Sequence, residues 1–312
     1  MWLRVITSIL LGLALIPCFA QTCAAQATTS ALSTGAAASA ASSESAVSTL
    51  SSEAAASAAS SKARAWLNPE GMTVATRFVP PTGFARRDYD DAYVEYMRNL
   101  PMLPDGSPVY LFNGELKEEQ GHHVGVLDID VGKRDLQQCS DAAQRIRTDF
   151  LYQTDQHAKI QYHFANGTMF SWEKYRQGYR IHRDGKKMTM VKTAKPSSSL
   201  STFRDYQKWL FMYAGVSSVK KESPAITVAQ MRPGDAIAGP GHLIIILDVV
   251  ENAAGEKRFL LAQSYMPAQQ IEVLTNPHSD SPWYDARLLE KCPFETPEWL
   301  YKCPWPKIYR LL

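Results

Sequence analysis

Gly241-His242-Leu243-Ile244-Ile245-Ile246-Leu247-Asp248 decides the fold class of this chain. Five aliphatic residues in a row, entered from Gly239-Pro240-Gly241, read as a buried strand with His242 at its mouth. Asn252 to Gly255 has the composition of a hairpin turn, and Arg258 to Tyr265 reads as the antiparallel partner. Folding about that turn places His242 opposite a residue between Gln263 and Tyr265. Strand side chains alternate, so Gln263 and Tyr265 share a face, and Gln263 is the candidate to hold the imidazole in one tautomer. Asp248 is a poor third member: six residues along the strand, it lies about 20 Å away.

Upstream, Asp135-Leu136-Gln137-Gln138-Cys139 opens a helical pattern. Asp135 reads as the N-cap, with Gln138 as its capping-box partner. Leu136, Cys139, Ala143, Ile146 and Phe150 form one stripe of a helix running to about Tyr152. Cys139 would then lie in the first turn, where unpaired backbone N–H groups and the positive end of the macrodipole favour thiolate. The same stripe also suits a small buried hydrophobe. A histidine at the mouth of a strand tips the reading towards a nucleophile and its base. The expectation is an α+β domain, with a helix carrying Cys139 packed on an antiparallel sheet carrying His242 and Gln263.

Further elements follow by periodicity. Thr73 to Val79 reads as a strand, Asp90 to Leu100 as an amphipathic helix, and Val109 to Phe112 and Gly121 to Asp130 as strands. Ile160 to Phe164 and Met169 to Trp172 resemble a hairpin about Asn166-Gly167. Lys186 to Pro196 reads as a basic loop and Ser201 to Tyr213 as a second amphipathic helix. The tail from Ile271 to Leu312, rich in Pro and aromatics, is expected to wrap the core without long elements.

The N-terminus reads as a secretion signal: Arg4, an apolar run from Val5 to Pro17, and Ala25-Gln26-Ala27 as a cleavage pattern. That run is shorter than the about 20 residues of a spanning helix, so no membrane span is expected in the mature chain. Cys18 and Cys23 lack the Leu-x-small-Cys pattern of lipid attachment. Residues 1–27 are thus assigned to a signal peptide, 28–64 to an Ala/Ser-rich linker unable to bury a core, and 65–312 to one folded domain. The expected location is periplasmic or secreted. A net charge of +2, with no basic stripe among aromatics, argues against nucleic acid as a partner. Past the signal, three cysteines remain. Cys292 and Cys303 are close in sequence and are expected to pair in an oxidising compartment, leaving Cys139 over.

The order of these features — a helix thiol, Pro233-Gly234-Asp235, a short strand, Gly241-His242 with its aliphatic run, then a strand with a polar residue — resembles the NlpC/P60 branch of papain-like cysteine hydrolases. That resemblance implies a papain-like fold with Cys139 as nucleophile, His242 as base and Gln263 as its orienting residue. It also implies an amidase or peptidase acting on peptidoglycan or other peptides, without cofactor or metal. Ser140-Asp141 after the cysteine departs from that family's pattern, and Gln137 and Gln138 are candidate oxyanion donors by proximity alone. Asn99-Leu100-Pro101, Leu111-Phe112-Asn113-Gly114, Asp135 to Cys139 and Leu261 to Gln269 are similar to an exported bacterial family, domain of unknown function 4846, which brings no activity with it. A non-catalytic glycan- or peptide-binding envelope protein is the alternative. His122-His123 with Asp128 and Asp130 is not expected to hold a metal, since adjacent strand residues face opposite ways.

Overall fold

The computed structural model describes residues 64–303 and 306–312. The expected signal peptide and all but the last residue of the expected linker lie outside the described residues. Strands of the main sheet are β1 (Phe84–Arg86), β2 (His123–Val126), β3 (Ala225–Ile226), β4 (Ala236–Ala238) and β5 (Leu243–Asn252). They continue with β6 (Lys257–Gln263), β7 (Glu272–Leu274), β8 (Tyr284–Asp285) and β9 (Lys307–Tyr309). The order is β2-β7-β6-β5-β4-β9-β3, and every pairing is antiparallel. β5 is long enough to hold β4 along its first residues and β1 along its last, both on the edge away from β6. The chain is thus α+β, and β5 and β6 pair as the expected antiparallel hairpin, which stands at the centre of the sheet.

Alternation sorts the two faces of β5. Leu243, Ile245 and Leu247 pack in one cluster with Ala142, Ala143, Ile146 and Phe150 of the long helix and with Phe203 and Leu210 of a second helix. Ile244, Ile246 and Val249 pack in another, with Tyr284, Leu289, Phe294 and Tyr301 of the tail. The result is three layers, with helices, sheet and tail stacked in that order. Full burial of such aliphatic side chains stabilises by roughly 1.5–3 kcal/mol each, which is why this hairpin holds the centre.

The helices are α1 (Val74–Arg77), α2 (Ala92–Arg98), α3 (Cys139–Gln153), α4 (Trp172–Arg176), α5 (Leu200–Tyr213) and α6 (Val216–Glu222). The structure departs from the sequence reading at several places, among them the expected strand Val109 to Phe112, which makes only isolated bridges at Tyr110 and Leu111. The Thr73–Val79 segment is helical, not a strand, because the Thr73 and Thr76 side chains cap the first turn reciprocally. Lys187–Lys192 pairs with Tyr179–Asp184 as a hairpin, turned at Gly185 with φ +57°, where a basic loop was expected. α6 follows Gly215 with no signal strong enough to predict it. The tail does more than wrap: β9 inserts between β4 and β3, completing the main sheet. Cys292 and Cys303 are joined by a disulfide, as expected. No helix among the described residues is long and apolar enough to cross a membrane.

Candidate functional site

Cys139 is the first residue of α3, and Gln138 is its N-cap. The Gln138 N–H donates to Asp141 Oδ2 at 3.1 Å, so the capping pair is Gln138–Asp141, one turn later than Asp135–Gln138. Asp135 has a different task. Its Oδ1 accepts from the Ala268 N–H at 2.7 Å and from Gln138 Nε2 at 3.1 Å, tying the segment after β6 to the entrance of the helix. The Ser264 hydroxyl donates to the Gln137 carbonyl at 2.7 Å and adds a second tie.

The Cys139 thiol is partly buried, and burial pushes its pKa above the ordinary thiol value. The backbone amides of Leu243, Ser140 and Cys139 itself pull it back, while Asp141 adds to the rise. The net direction is upward. The helix N-terminus contributes as expected, but here desolvation outweighs it.

His242 Nε2 lies 2.9 Å from Gln263 Oε1. The Gln263 amide is held by two carboxylates, with Nε2 donating to Glu298 Oε2 at 2.6 Å and to Glu272 Oε1 at 3.2 Å. Its oxygen therefore faces the imidazole, and the hydrogen-bond network assigns the ring proton to His242 Nε2 and the lone pair to Nδ1. His242 is 2 % exposed. Burial lowers its pKa to about 4, against the opposing pull of Gln263 and Glu298, so the ring is neutral at pH 7. Trp299 lies over it at 4.8 Å between ring centroids, with Tyr265 at 5.3 Å and Tyr301 at 6.2 Å.

The three predicted residues therefore gather at one corner, though not in one chain of bonds. His242 and Gln263 are bonded. Cys139 approaches from the helix layer: its thiol meets the amide of Leu243, the residue after His242, and its charge would be felt by Tyr265 and Tyr301, which also face His242. The described hydrogen bonds include none between Cys139 and His242.

Sequence reasoning missed the group behind Gln263. Glu272 sits directly across from Gln263 in the β6–β7 ladder and is fully buried. Lys117 Nζ reaches its two oxygens at 2.7 and 2.9 Å and Glu298 Oε2 at 2.8 Å, and Gln269 Nε2 donates to Glu272 Oε1 at 2.8 Å. Burial pushes the Glu272 carboxyl up, with Lys117 pulling the other way. For Glu298, hydrogen bonds from Glu272 and Lys117 outweigh burial and hold it low. A glutamate inside the apolar run Ile271-Glu272-Val273-Leu274 was the available signal; Lys117 and Glu298 gave none.

The two oxyanion candidates differ. Gln138 donates its Nε2 to Asp135, whereas Gln137, 1 % exposed with its oxygen accepting from Arg145, keeps a buried Nε2 with no hydrogen-bond partner among the described residues. Asp248 is far from this corner in role, paired with Arg86 at 2.7 Å and Arg98 at 3.1 Å. His123 Nε2 lies 3.2 Å from the Ser107 carbonyl and His122 Nδ1 lies 3.5 Å from Glu298 Oε1. No metal-type cluster occurs among the described residues. A cleft of about 490 Å³ opens beside His242, walled by Pro240, Tyr265, Glu298, Trp299 and Tyr301.

The fold defines an α+β protein with antiparallel sheets, in which Cys139 opens a helix and a buried His242 is bonded to Gln263. Residues 74–304 match the family described as domain of unknown function 4846, and the chain belongs to that family. No curated protein and no solved structure matches it.

Proposed function

We propose that this chain is an exported cysteine hydrolase of the NlpC/P60 type, cleaving amide bonds in peptidoglycan peptides. The observation that carries the reading is the His242 Nε2–Gln263 Oε1 bond at 2.9 Å, made beside a cysteine at a helix N-terminus. It leaves Nδ1 as the ring's only basic nitrogen, the tautomer a cysteine hydrolase needs. With the thiol raised and the imidazole lowered, the resting pair is neutral, so proton transfer accompanies attack. His242 Nδ1 takes the thiol proton as sulfur bonds to the carbonyl carbon. It then returns that proton to the departing amine, and water releases the acyl group from the sulfur. The cleft walled by Tyr265, Trp299 and Tyr301 is the substrate's approach, and these aromatic walls suit a peptide.

The test is release of soluble fragments from purified sacculi. Wild type should release peptides, and Cys139→Ala should bind without releasing any while keeping its far-UV spectrum. Equal release by Cys139→Ala would overturn the proposal. One observation favours a second reading, a non-catalytic binder of wall peptide or glycan: His242 is almost sealed under Trp299 and unbonded to Cys139. On that reading wild type and Cys139→Ala bind sacculi alike and neither releases fragments.

A further inference from the structure

A second cleft, of about 380 Å³, lies between the 130–134 turn, α3 and α5. Its lining includes Lys133, Arg134, Arg145, Arg204 and Lys208, with Leu136 and Phe211 supplying an apolar floor. Five cations face a space of small-molecule size. Their carboxylate partners are fewer: Asp149 serves both Arg145 and Arg204, Asp205 serves Lys208, and Asp130 lines the rim. Lys133 and Arg134 are exposed and have no carboxylate partner among the described residues, where the Arg134 side chain's one hydrogen bond is to Met212 Sδ at 3.8 Å.

The donors are held in place but not used up. Arg145 spends Nε on Asp149 at 2.9 Å and Nη1 on the Asp130 carbonyl and Gln137 Oε1, both at 3.2 Å. Its Nη2 has no hydrogen bond among the described residues and is not sealed from solvent. Arg204 Nη1 is bonded to Asp149 and to Gln207 Oε1, and its Nε and Nη2 have no hydrogen bond among the described residues. Asp149 in turn is fixed by Gln207 Nε2 at 2.7 Å. Guanidinium groups with braced planes and spare N–H donors are what planar or tetrahedral oxyanions require.

From this we infer an anion-binding site in the α3–α5 cleft, recognising a carboxylate or phosphate oxyanion whose apolar portion rests on Phe211. Arg145 and Arg204 supply fixed donors from within, and Lys133 and Arg134 supply the uncompensated charge at the mouth. The site does not depend on Cys139, and its test involves no turnover.

The full chain is titrated at low ionic strength with inorganic phosphate and, separately, with glutarate, followed by calorimetry. Saturable binding of either supports the site, and the tighter of the two identifies the source of the oxyanion. Lys133→Gln/Arg134→Gln should weaken binding about tenfold or more, with the unliganded melting temperature unchanged because both side chains are exposed. Lys186→Gln/Lys187→Gln, on the distant hairpin, should leave it unaltered. The inference is overturned if neither probe binds, if binding survives the cleft pair, or if the hairpin pair weakens it equally.

Discussion

His242 carries a pH signature that can be read without knowing any substrate. Burial holds its folded pKa at about 4, below the 6.5 of an ordinary histidine, so the unfolded chain binds a proton the folded one refuses. Stability attached to this residue is complete above pH 6.5 and falls as pH drops towards 4, by about 3 kcal/mol in full. Asp235 works in the opposite sense: burial pushes it to about 6 despite Arg310, so its contribution weakens as pH rises. Comparing wild type with His242→Asn by urea unfolding removes Asp235 from the difference. The advantage of wild type should shrink steadily from pH 7 to pH 4.5; a pH-independent difference would mean the ring is not desolvated. Gln263 was legible as the partner because counting back through the Asn252–Gly255 turn left few alternatives. Glu298 and Lys117 were not, since nothing local marks a loop residue that a distant strand will bury.

At the scale of elements, Asp248 shows why a charge can stand in a strand of aliphatics. It is wholly buried, yet Arg86 from β1 and Arg98 from α2 both pair with it, and its Oδ1 accepts the Val249 N–H at 2.9 Å. One carboxylate therefore ties β5 to an edge strand and a helix. Asp248→Ala takes from the buried Arg98 its buried carboxylate partner, leaving only the exposed Glu95 at 3.4 Å, and should cost about 3–5 kcal/mol. Equilibrium urea denaturation measures this, and a loss under about 1 kcal/mol would show that the pairing contributes little. The existence of β5, β6, α2 and α5 was plain from period and length. The faces of β5 and β6 were not: a run of five aliphatics gives no alternation to read, and the register shift at Leu260/Leu261 cannot be seen in composition. The cap was misplaced by three residues because Asp135 and Asp141 are both good N-terminal carboxylates, and only the demand of Ala268 for an acceptor separates them.

Across the whole molecule, the Cys292–Cys303 disulfide closes the short loop that carries Glu298 and Trp299 against Gln263 and His242. Removing it with Cys292→Ser/Cys303→Ser should lower stability by roughly 3 kcal/mol, from loop entropy alone. It should also loosen the cover over the histidine, seen as faster hydrogen exchange at the 298–301 segment and easier quenching of Trp299 fluorescence. Unchanged exchange there, with stability lost, would confine the bridge to a global effect.

What the sequence determined by itself is the inventory: an α+β chain, an aliphatic hairpin, a cysteine in the first turn of a helix, a histidine entering a strand and an amide on the neighbouring strand. These follow from period, turn chemistry and spacing, which act over a few residues. Tertiary structure alone decided the electrostatics. Whether Cys139 gains more from helix amides than it loses by leaving water depends in part on Leu243, over a hundred residues further on, and whether Glu272 and Glu298 steer Gln263 depends on Lys117, over a hundred residues before them. Desolvation is a property of everything packed around a group, and no local stretch of chain contains it.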